Sequence, residues 1–439
     1  MTEKLSTPAA SSELLTARDK GLPARAGGMT AADFLATQPR LSEFWTPLLV
    51  LDDAAMRHNI DTMAAWCDAR GLELMPHGKT TMAPALWQRQ LDAGCAGITL
   101  ATMGQVRTAR SFGLRSIMLA NAVVDDRSLR YLARELADPD VRFLCWVDSV
   151  QTIEAMEETL SHAALPRPVD VCVELGAPGG RTGARSVAEA TRVAERVASS
   201  AVLRLAGVAG YEGSLAHDRS EAGLRAVRDY LERQVELHLG IHALYDDGNI
   251  VVTAGGSAYF DVVAEVYGAA GAGVDATARR GGGRTRFVLR SGAYIVHDDG
   301  FYRRISPFDE AGTSADGPRF LPAMRGIARV VSHPETGLAL LDGGKRDFPF
   351  DEGLPVPRGW ATELGESWSP LDGSAISAMN DQHSYLRPGE AVPGGSLPVG
   401  SVVQLGLSHP CTAFDKWRVI PVVDSWESHR VVELVRTYF

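Results

Sequence analysis

The sequence predicts an α/β protein, a (β/α)8 barrel followed by a smaller β domain. Between residues 53 and 292, short apolar runs alternate with amphipathic stretches, and this alternation occurs eight times. After about Ser291 the chain has many prolines, short apolar runs and no long helical pattern. Alternating β and α units imply a parallel sheet, and eight of them favour a closed barrel over the alternative, an open doubly wound sheet.

The barrel strands are placed by the residues at which the apolar runs end. These are His77, Ala101, Ala120, Val147, Glu174, Val208, Thr253 and Leu289. The carboxyl ends of parallel strands share one face of a barrel, and barrel enzymes carry their chemistry on that face. Residues that follow the strand ends are therefore the candidates for a functional site.

The domain boundaries follow from changes in pattern. Residues 1–28 are rich in Ala, Ser and Thr with weak periodicity, so we expect them to be poorly ordered. Residues 29–52 contain the strand Leu48 to Leu51, which we expect to pair with the C-terminal domain. Residues 53–292 form the predicted barrel, and residues 293–439 form a β domain, either a small barrel or a sandwich.

Composition narrows the class of protein. Of 439 residues, 45% are hydrophobic and the net charge is −10, which argues against nucleic acid or an anionic membrane as the main partner. The five cysteines are widely spaced without a CxxC pair, so a disulfide framework is not expected. The N-terminus has no apolar core of a secretory signal, and no apolar run approaches a membrane span. These observations predict a cytoplasmic enzyme.

The stretch Met75-Pro76-His77-Gly78-Lys79-Thr80 closes the first predicted barrel strand. Lys79 then lies where a strand ends and a helix begins, at the mouth of the barrel. A partly desolvated lysine there can lose its proton and form a Schiff base. The alternative is a solvated loop lysine, because lysine side chains are mostly exposed.

Two glycine-containing segments follow the seventh and eighth strands, where barrel enzymes frequently bind phosphate. In Thr253-Ala254-Gly255-Gly256-Ser257, free N–H groups and a helix dipole would face an anion. In Ser291-Gly292-Ala293-Tyr294, Gly292 would let the backbone approach closely. Either segment alone is also explained by an ordinary turn. Together, opposite a strand-end lysine, they predict pyridoxal phosphate.

Arg181 and Tyr211 follow the fifth and sixth strands. A guanidinium on the glycine-rich turn around Arg181 can pair with a phenolate or carboxylate near the cofactor, although a surface salt bridge is an equal alternative. Tyr211 at the barrel mouth could pack beside the cofactor, and ordinary core packing is its alternative.

The C-terminal domain carries His409-Pro410-Cys411, preceded by Asn380-Asp381-Gln382-His383. In an extended segment, His409 and Cys411 would project to the same face, and an imidazole with a thiolate suits Zn²⁺ better than Mg²⁺ or Ca²⁺. Two ligands do not complete a site, and isolated His and Cys are more often packed or inert. Substrate atoms and water would have to fill the positions that a catalytic zinc leaves open.

These motifs together resemble a known family. They are Pro76-His77-Gly78-Lys79-Thr80, Gly94, Ala101-Thr102, Arg181-Thr182-Gly183, Gly255-Gly256-Ser257, Gly292-Ala293-Tyr294 and His409-Pro410-Cys411. The combination resembles the D-serine dehydratase and D-threonine aldolase family of alanine racemase-like (fold type III) pyridoxal phosphate enzymes, from about Pro47 to the end. The resemblance implies a TIM barrel with a β domain, a homodimer, an internal aldimine on Lys79, and a divalent metal on His409 and Cys411.

The reaction that the resemblance implies is the dehydration of a D-3-hydroxy amino acid to a 2-oxo acid and ammonia. D-serine, D-threonine or a bulkier analogue would be the substrate. Lys79 would remove the α-proton, and Zn²⁺, or alternatively Mn²⁺ or another divalent ion, would act as Lewis acid at the β-hydroxyl. Arg181 would orient the cofactor phenolate or the substrate, and His383 would handle a proton at the leaving oxygen.

Two other functions stay open at this point. A retro-aldol lyase would cleave the same substrates to glycine and an aldehyde. That branch resembles a His-x-Asp pattern, which favours harder metals, whereas Cys411 favours zinc and dehydration. A protein that binds pyridoxal phosphate without turnover would keep Lys79 and the phosphate segments but would need no metal pair.

Overall fold

The computed structural model describes residues 4–5, 13–246, 250–278, 284–310, 317–390, 392 and 397–439, apart from the side chains of residues 272–278. Within this part the chain divides into two compact units. The first contains Met63–Lys79 and Gln90–Gly292, and the second contains residues 13–62, Thr80–Arg89 and Ala293–Phe439. One division between the two units falls after Gly292. Residues 53–62 and 80–89, by contrast, cluster with the second unit and not with the barrel.

The residues before the barrel are better ordered than expected. Leu15 and Ala26 are each 1% exposed, and the Leu15 N–H donates to the Met29 carbonyl. The expectation of poor order is therefore wrong for residues 13–28, and for residues 1–3 and 6–12 it lies outside the described part. The apolar residues of this segment are isolated, so periodicity could not reveal their burial. Three elements follow it: α1 (Ala31–Ala36), β1 (Leu48–Asp52) and α2 (Asp53–Asp68).

All eight predicted barrel strands are present. They are β2 (Glu73–Leu74), β3 (Ile98–Leu100), β4 (Ser116–Leu119), β5 (Arg142–Val147), β6 (Val169–Leu175), β7 (Leu203–Gly210), β8 (Ile250–Ala254) and β9 (Thr285–Leu289). Their pairings are parallel, in the order β2-β9-β8-β7-β6-β5-β4-β3. A parallel bridge between His77 and Thr99 joins the two ends of this order. The predicted barrel is therefore confirmed.

The helices of this part of the chain are α3 (Pro84–Asp92), α4 (Met103–Ser111), α5 (Asp126–Glu135), α6 (Val150–Leu160), α7 (Val187–Ala198), α8 (Glu221–Gly240) and α9 (Phe260–Ala278). Several begin where a side-chain oxygen accepts a main-chain N–H three residues further on. Thr102, Asp125, Ser149, Ser186 and Ser220 are such N-caps. Each satisfies an N–H that the first helical turn leaves without a partner.

The interior of the barrel is a packed core. Met75, Met118, Trp146, Cys172, Ala209, Val251 and Val288 form one buried cluster. A filled barrel leaves its carboxyl end as the place for chemistry.

None of the five cysteines forms a disulfide. In the described residues, no helix combines the length and the apolar character needed to cross a bilayer.

The second unit is mainly antiparallel. Its elements after Gly292 are α10 (Phe301–Ile305), β10 (Met324–Glu335), β11 (Leu338–Leu341), β12 (Val356–Ala361), β13 (Ser369–Pro370), β14 (Ala375–Met379), β15 (Ser384–Arg387), β16 (Val402–Gly406), α11 (Cys411–Phe414), β17 (Val419–Val423) and β18 (Val431–Arg436). The main sheet runs β13-β12-β16-β10-β1-β17-β18, and β10 continues into β11, β15 and β14. The strand β1 is fully buried and lies antiparallel to β10 and parallel to β17.

A buried histidine in α8 makes the stability of the first unit dependent on pH. His238 has no exposed surface, and its Nδ1 lies 3.1 Å from Tyr245 Oη. Burial, and to a lesser extent the neighbouring His242, lower the pKa of His238 to about 4. A histidine in the unfolded chain has a pKa of about 6.5. Below that pH the unfolded chain therefore binds more protons than the folded chain does. We expect stability to fall as the pH drops from about 6.5 towards about 4.

The expected slope is up to about 1.4 kcal/mol of unfolding free energy per pH unit from this one group. Urea unfolding at about pH 7 and about pH 5 measures it, and His238→Gln should flatten the dependence. His162→Gln, at an exposed position, is the matched control. Equal slopes for the wild type and His238→Gln would contradict the assignment.

Candidate functional site

The segment that carries Lys79 is held between two strands of the barrel. The Met75 N–H donates to the Leu289 carbonyl, and the His77 N–H donates to the Arg290 carbonyl. On the other side, the Thr99 N–H donates to the Pro76 carbonyl. Lys79 lies in a short 3-10 turn directly after this segment and is half-buried. Its place at the carboxyl end of the first barrel strand is the predicted one.

Gly292 is needed for this arrangement for a steric reason. A Cβ at Gly292 would lie 2.6 Å from the His77 carbonyl oxygen and 3.0 Å from the His77 nitrogen. The close approach predicted for Gly292 therefore exists, and its partner is the main chain that leads to Lys79. The glycine lets the end of β9 pack directly against the lysine segment.

Arg290 is a site residue that the sequence analysis missed. It is 4% exposed, and its Nη1 donates to Thr253 Oγ1 at 2.7 Å while its Nη2 donates to the Gly210 carbonyl at 2.5 Å. Its Nε has no hydrogen-bond partner among the described residues. The sequence did indicate this position, because Arg290 directly follows the predicted strand end Leu289, and residues after strand ends lie at the functional face of a barrel.

His77 is the second missed residue, although it belongs to the lysine motif. Its Nδ1 is buried and has no partner in the part of the chain that the structure describes. Burial keeps the pKa of His77 well below its usual range, and the positive charges of Lys79, Arg290 and Arg181 act in the same direction. A neutral imidazole beside three cations is therefore expected near neutral pH, with a polar atom still available to a ligand.

The glycine loop after β8 differs from the prediction. The N–H groups of Gly255 and Gly256 donate to the two carboxylate oxygens of Glu212, at 3.0 and 2.6 Å. Glu212 is completely buried. The expectation of free N–H groups at these two glycines is therefore wrong, because a buried carboxylate from the loop after β7 already accepts from them.

Four other residues predicted to contact the cofactor have defined surroundings. The Thr253 hydroxyl donates to the Val288 carbonyl and accepts from Arg290, so its contacts position Arg290. Ser257 is half-buried in the turn before α9. In the second unit, Ala293 and Tyr294 lie in a buried 3-10 turn, and the Tyr294 ring centroid lies 6.1 Å from that of Phe320.

The structure brings Arg181 and Tyr211 together, as a cation–π pair. The guanidinium carbon of Arg181 lies 4.5 Å from the centroid of the Tyr211 ring. Glu174, at the end of β6, is nearby in the same mouth and accepts from the Thr182 hydroxyl at 3.0 Å. Burial raises the pKa of Glu174, the Thr182 hydrogen bond opposes this, and Asp148 adds to the increase. The mouth of the barrel thus holds both a basic residue, Arg181, and an acidic residue, Glu174.

In the second unit, His409 and Cys411 are neighbours but not in an extended segment. His409 has φ of 105°, and Cys411 opens the short helix α11. The prediction of an extended segment is therefore wrong. Cys411 nevertheless lies near enough to His409 to contribute to raising the pKa of the imidazole. Cys411 Sγ also lies 3.5 Å from Thr80 Oγ1, a residue of the same unit.

Asp351 and Asp298 contact His409 from two directions. Asp351 Oδ2 lies 2.5 Å from His409 Nδ1, and Asp298 Oδ2 accepts the His409 N–H at 3.2 Å. Burial lowers the pKa of His409, but Cys411 and Asp351 outweigh it and raise the pKa to about 9.

The donor set fits a divalent metal in part. An imidazole and a thiol are the ligand types that zinc favours. Among the described residues, no group of three or more His, Cys, Asp or Glu side chains is arranged to hold a metal ion. The pair therefore offers two donor atoms, and their binding of a metal stays a prediction. His383 is exposed in the turn between β14 and β15, where its carbonyl accepts the Asn380 N–H, and its described contacts do not include the pair.

Comparison with known proteins agrees with these features. Residues 323–423 match the putative serine dehydratase domain family. A D-threonine aldolase from Arthrobacter sp. is 27% identical over 398 residues, which cover 87% of this chain and 91% of that protein. The structure of the D-threonine aldolase from Filomicrobium marinum is similar with a TM-score of 0.74 and 24% identity, covering 90% of this chain and 96% of the other.

A third similar structure is the D-threo-3-hydroxyaspartate dehydratase from Delftia sp. HT23, with a TM-score of 0.68 and 21% identity over 91% of this chain and 99% of the other. A cysteine-to-alanine mutant of a D-threo-3-hydroxyaspartate dehydratase is known in a metal-free form. The barrel with its antiparallel β domain is the alanine racemase-like fold. The chain is therefore similar to D-threonine aldolases and D-threo-3-hydroxyaspartate dehydratases, and it has the alanine racemase-like fold of the family that its motifs resemble.

Proposed function

We propose that this protein is a pyridoxal phosphate- and metal-dependent lyase that dehydrates a D-3-hydroxy amino acid to a 2-oxo acid and ammonia. The observation that carries the proposal is the pair His409 and Cys411, with His409 held by Asp351 and Asp298, in the unit that contains the serine dehydratase match. The relatives support the substrate class, because both a D-threonine aldolase and a D-threo-3-hydroxyaspartate dehydratase take their names from D-3-hydroxy amino acids.

The residues that would hold the cofactor lie at the barrel mouth. Lys79 would bind it covalently, and the two polar atoms without partners among the described residues, His77 Nδ1 and Arg290 Nε, would be available to it. Arg181, held against Tyr211, would supply a further positive charge. When bound, pyridoxal phosphate supplies an electron sink for the carbanion that forms at Cα.

Lys79 is the residue that we expect to move the α-proton. It is half-buried, and it follows a segment fixed by hydrogen bonds on both sides. A general base must be held within hydrogen-bond reach of the proton it removes. Arg290 is fixed by two hydrogen bonds and Gly292 fixes the lysine segment, so both residues would keep Lys79 in position.

His409 and Cys411 would hold the metal. When bound, a zinc-like ion supplies a Lewis acid for the β-oxygen, which would otherwise leave as hydroxide. The thiol favours an ion of this kind over a harder one such as Mg²⁺. Asp351 and Asp298 contact His409, and the exposed position of His383 gives no support to its predicted role in proton transfer.

The second candidate is a retro-aldol lyase that gives glycine and an aldehyde. The observation that favours it is the similarity to a D-threonine aldolase over 398 residues. Both candidates share the substrate class and the residues at the barrel mouth. They differ in the bond that breaks, so the products distinguish them.

The test is a product assay with D-serine, D-threonine, D-3-phenylserine and D-threo-3-hydroxyaspartate, with and without a chelator. We expect a 2-oxo acid and ammonia in equal amounts, and we expect the chelator to reduce turnover by at least about 10²-fold, since hydroxide leaves poorly without a Lewis acid. Added Zn²⁺ should restore turnover. Glycine with an aldehyde would establish the aldolase instead, and no product from any of the four substrates would argue against both.

A further inference from the structure

His409 is held at both its main chain and its ring by carboxylates. We infer that Asp351 is a positioning residue that fixes the imidazole of His409 with Nε2 directed to the metal, and that Asp298 fixes the main chain that presents it. The inference rests on the proposed function, because it assumes that His409 binds a metal.

The main chain of His409 adopts a conformation that needs support. Its φ of 105° lies in a region that residues with a Cβ rarely occupy, and such residues concentrate at functional sites. The His409 N–H donates to Asp298 Oδ2 at 3.2 Å. Asp298 is completely buried, and its Oδ1 accepts from the N–H groups of Gly300 and Tyr302 at 3.0 and 2.8 Å. A fixed acceptor therefore holds the unusual backbone in place.

The ring is oriented by the second carboxylate. Asp351 Oδ2 lies 2.5 Å from His409 Nδ1, and an ionised carboxylate can only accept a hydrogen bond. Nδ1 must therefore carry the proton in the neutral, metal-binding imidazole, which leaves the lone pair on Nε2. Metal-binding histidines in proteins are commonly oriented by a carboxylate in this way.

Asp351 is itself held in place, which argues against its being a third metal ligand. Its Oδ1 accepts from the Thr412 hydroxyl at 2.7 Å, while its Oδ2 is engaged with His409. Both oxygens thus have partners in the described residues. Thr412 is the residue after Cys411, so the threonine ties the orienting carboxylate to the same short helix as the proposed thiol ligand.

The competing explanation is that Asp351 and His409 form only a surface ion pair. The Asp351 side chain is 39% exposed, and exposed ion pairs contribute little to stability. A purely structural pair would affect the local loop without changing how tightly the protein binds a metal. Metal affinity and the absorption spectrum of a bound metal therefore separate the two explanations.

The experiment compares the full-length, cofactor-loaded wild type with Asp351→Asn in Zn²⁺ titrations against a chelating dye. The side-chain N–H₂ of asparagine can donate to Nδ1 and move the ring proton to Nε2. We therefore expect zinc affinity to fall about 10- to 100-fold. Co²⁺ in place of Zn²⁺ should show a thiolate charge-transfer band that weakens in parallel. Glu352→Gln, which removes the same charge from the next residue, is the matched control and should bind Zn²⁺ as the wild type does.

A second variant tests the same inference in case Asp351→Asn fails to fold. Thr412→Val removes the hydrogen bond that holds Asp351, so it should weaken zinc binding in the same direction but less. If the wild type binds Zn²⁺ and Asp351→Asn binds it equally well, the inference is overturned while the proposed function stands. If the wild type itself binds no Zn²⁺, the metal component of the proposed function fails, and the inference fails with it.

Discussion

Replacing Lys79 by alanine should reduce lyase turnover by about 10⁴-fold or more, because one side chain is expected both to bind the cofactor covalently and to move the α-proton. The absorbance band of the lysine–cofactor Schiff base should disappear from the same preparation. Turnover with a D-3-hydroxy amino acid and the absorption spectrum of the protein measure the two effects.

Lys79→Arg is the matched control for charge. Arginine keeps the positive charge next to His77 but cannot lose its proton or form a Schiff base. We therefore expect Lys79→Arg to be as inactive as Lys79→Ala. Lys345→Ala, at a lysine of the second unit, should leave turnover and absorbance unchanged. A Lys79→Ala protein that kept the Schiff-base absorbance would refute the site at the barrel mouth.

Gly292→Ala should have the second largest effect, although the change adds only a methyl group. That group would lie 2.6 Å from the carbonyl oxygen and 3.0 Å from the nitrogen of His77, and main-chain atoms cannot yield as a flexible side chain does. We expect the free energy of unfolding to fall by about 2–3 kcal/mol, as for other overpacked positions. The displaced lysine segment should lower kcat by about 10²-fold, since small misplacements of catalytic groups are costly.

Gly268→Ala is the control for this substitution. Gly268 lies in α9, and a Cβ there has no neighbour within 4 Å outside the helix itself. Alanine is favoured over glycine in a helix, so this variant should be neutral or more stable by up to about 1 kcal/mol. Urea unfolding and kcat are measured for both variants. A Gly292→Ala protein with wild-type stability and kcat would show that the close packing against His77 is not required.

The loop glycines show where a local pattern was insufficient. Gly255 and Gly256 follow a strand and precede a helix, which is the local pattern of a phosphate-binding turn. Their N–H groups instead donate to Glu212, which lies 43 and 44 residues earlier in the chain. A hydrogen bond between such distant residues leaves no trace in the spacing around either of them.

The sequence alone determined the features that depend on neighbouring residues. Hydrophobic periodicity indicated the eight barrel strands, and a lysine directly after a strand end located Lys79, because alternation and strand ends are properties of short segments. The residue types of His409 and Cys411 indicated the ligand chemistry without a structure. The family motifs are short and local as well.

The tertiary structure decided which groups satisfy each other. Arg290 was visible after its strand, but its bonds to Thr253 and Gly210 depend on three strands meeting at one end of the barrel. Asp351 lies 58 residues before His409, and the chain must fold before its carboxylate can reach the imidazole. Long-range hydrogen bonds of this kind are made only when the core brings distant segments together, and local sequence patterns therefore cannot specify them.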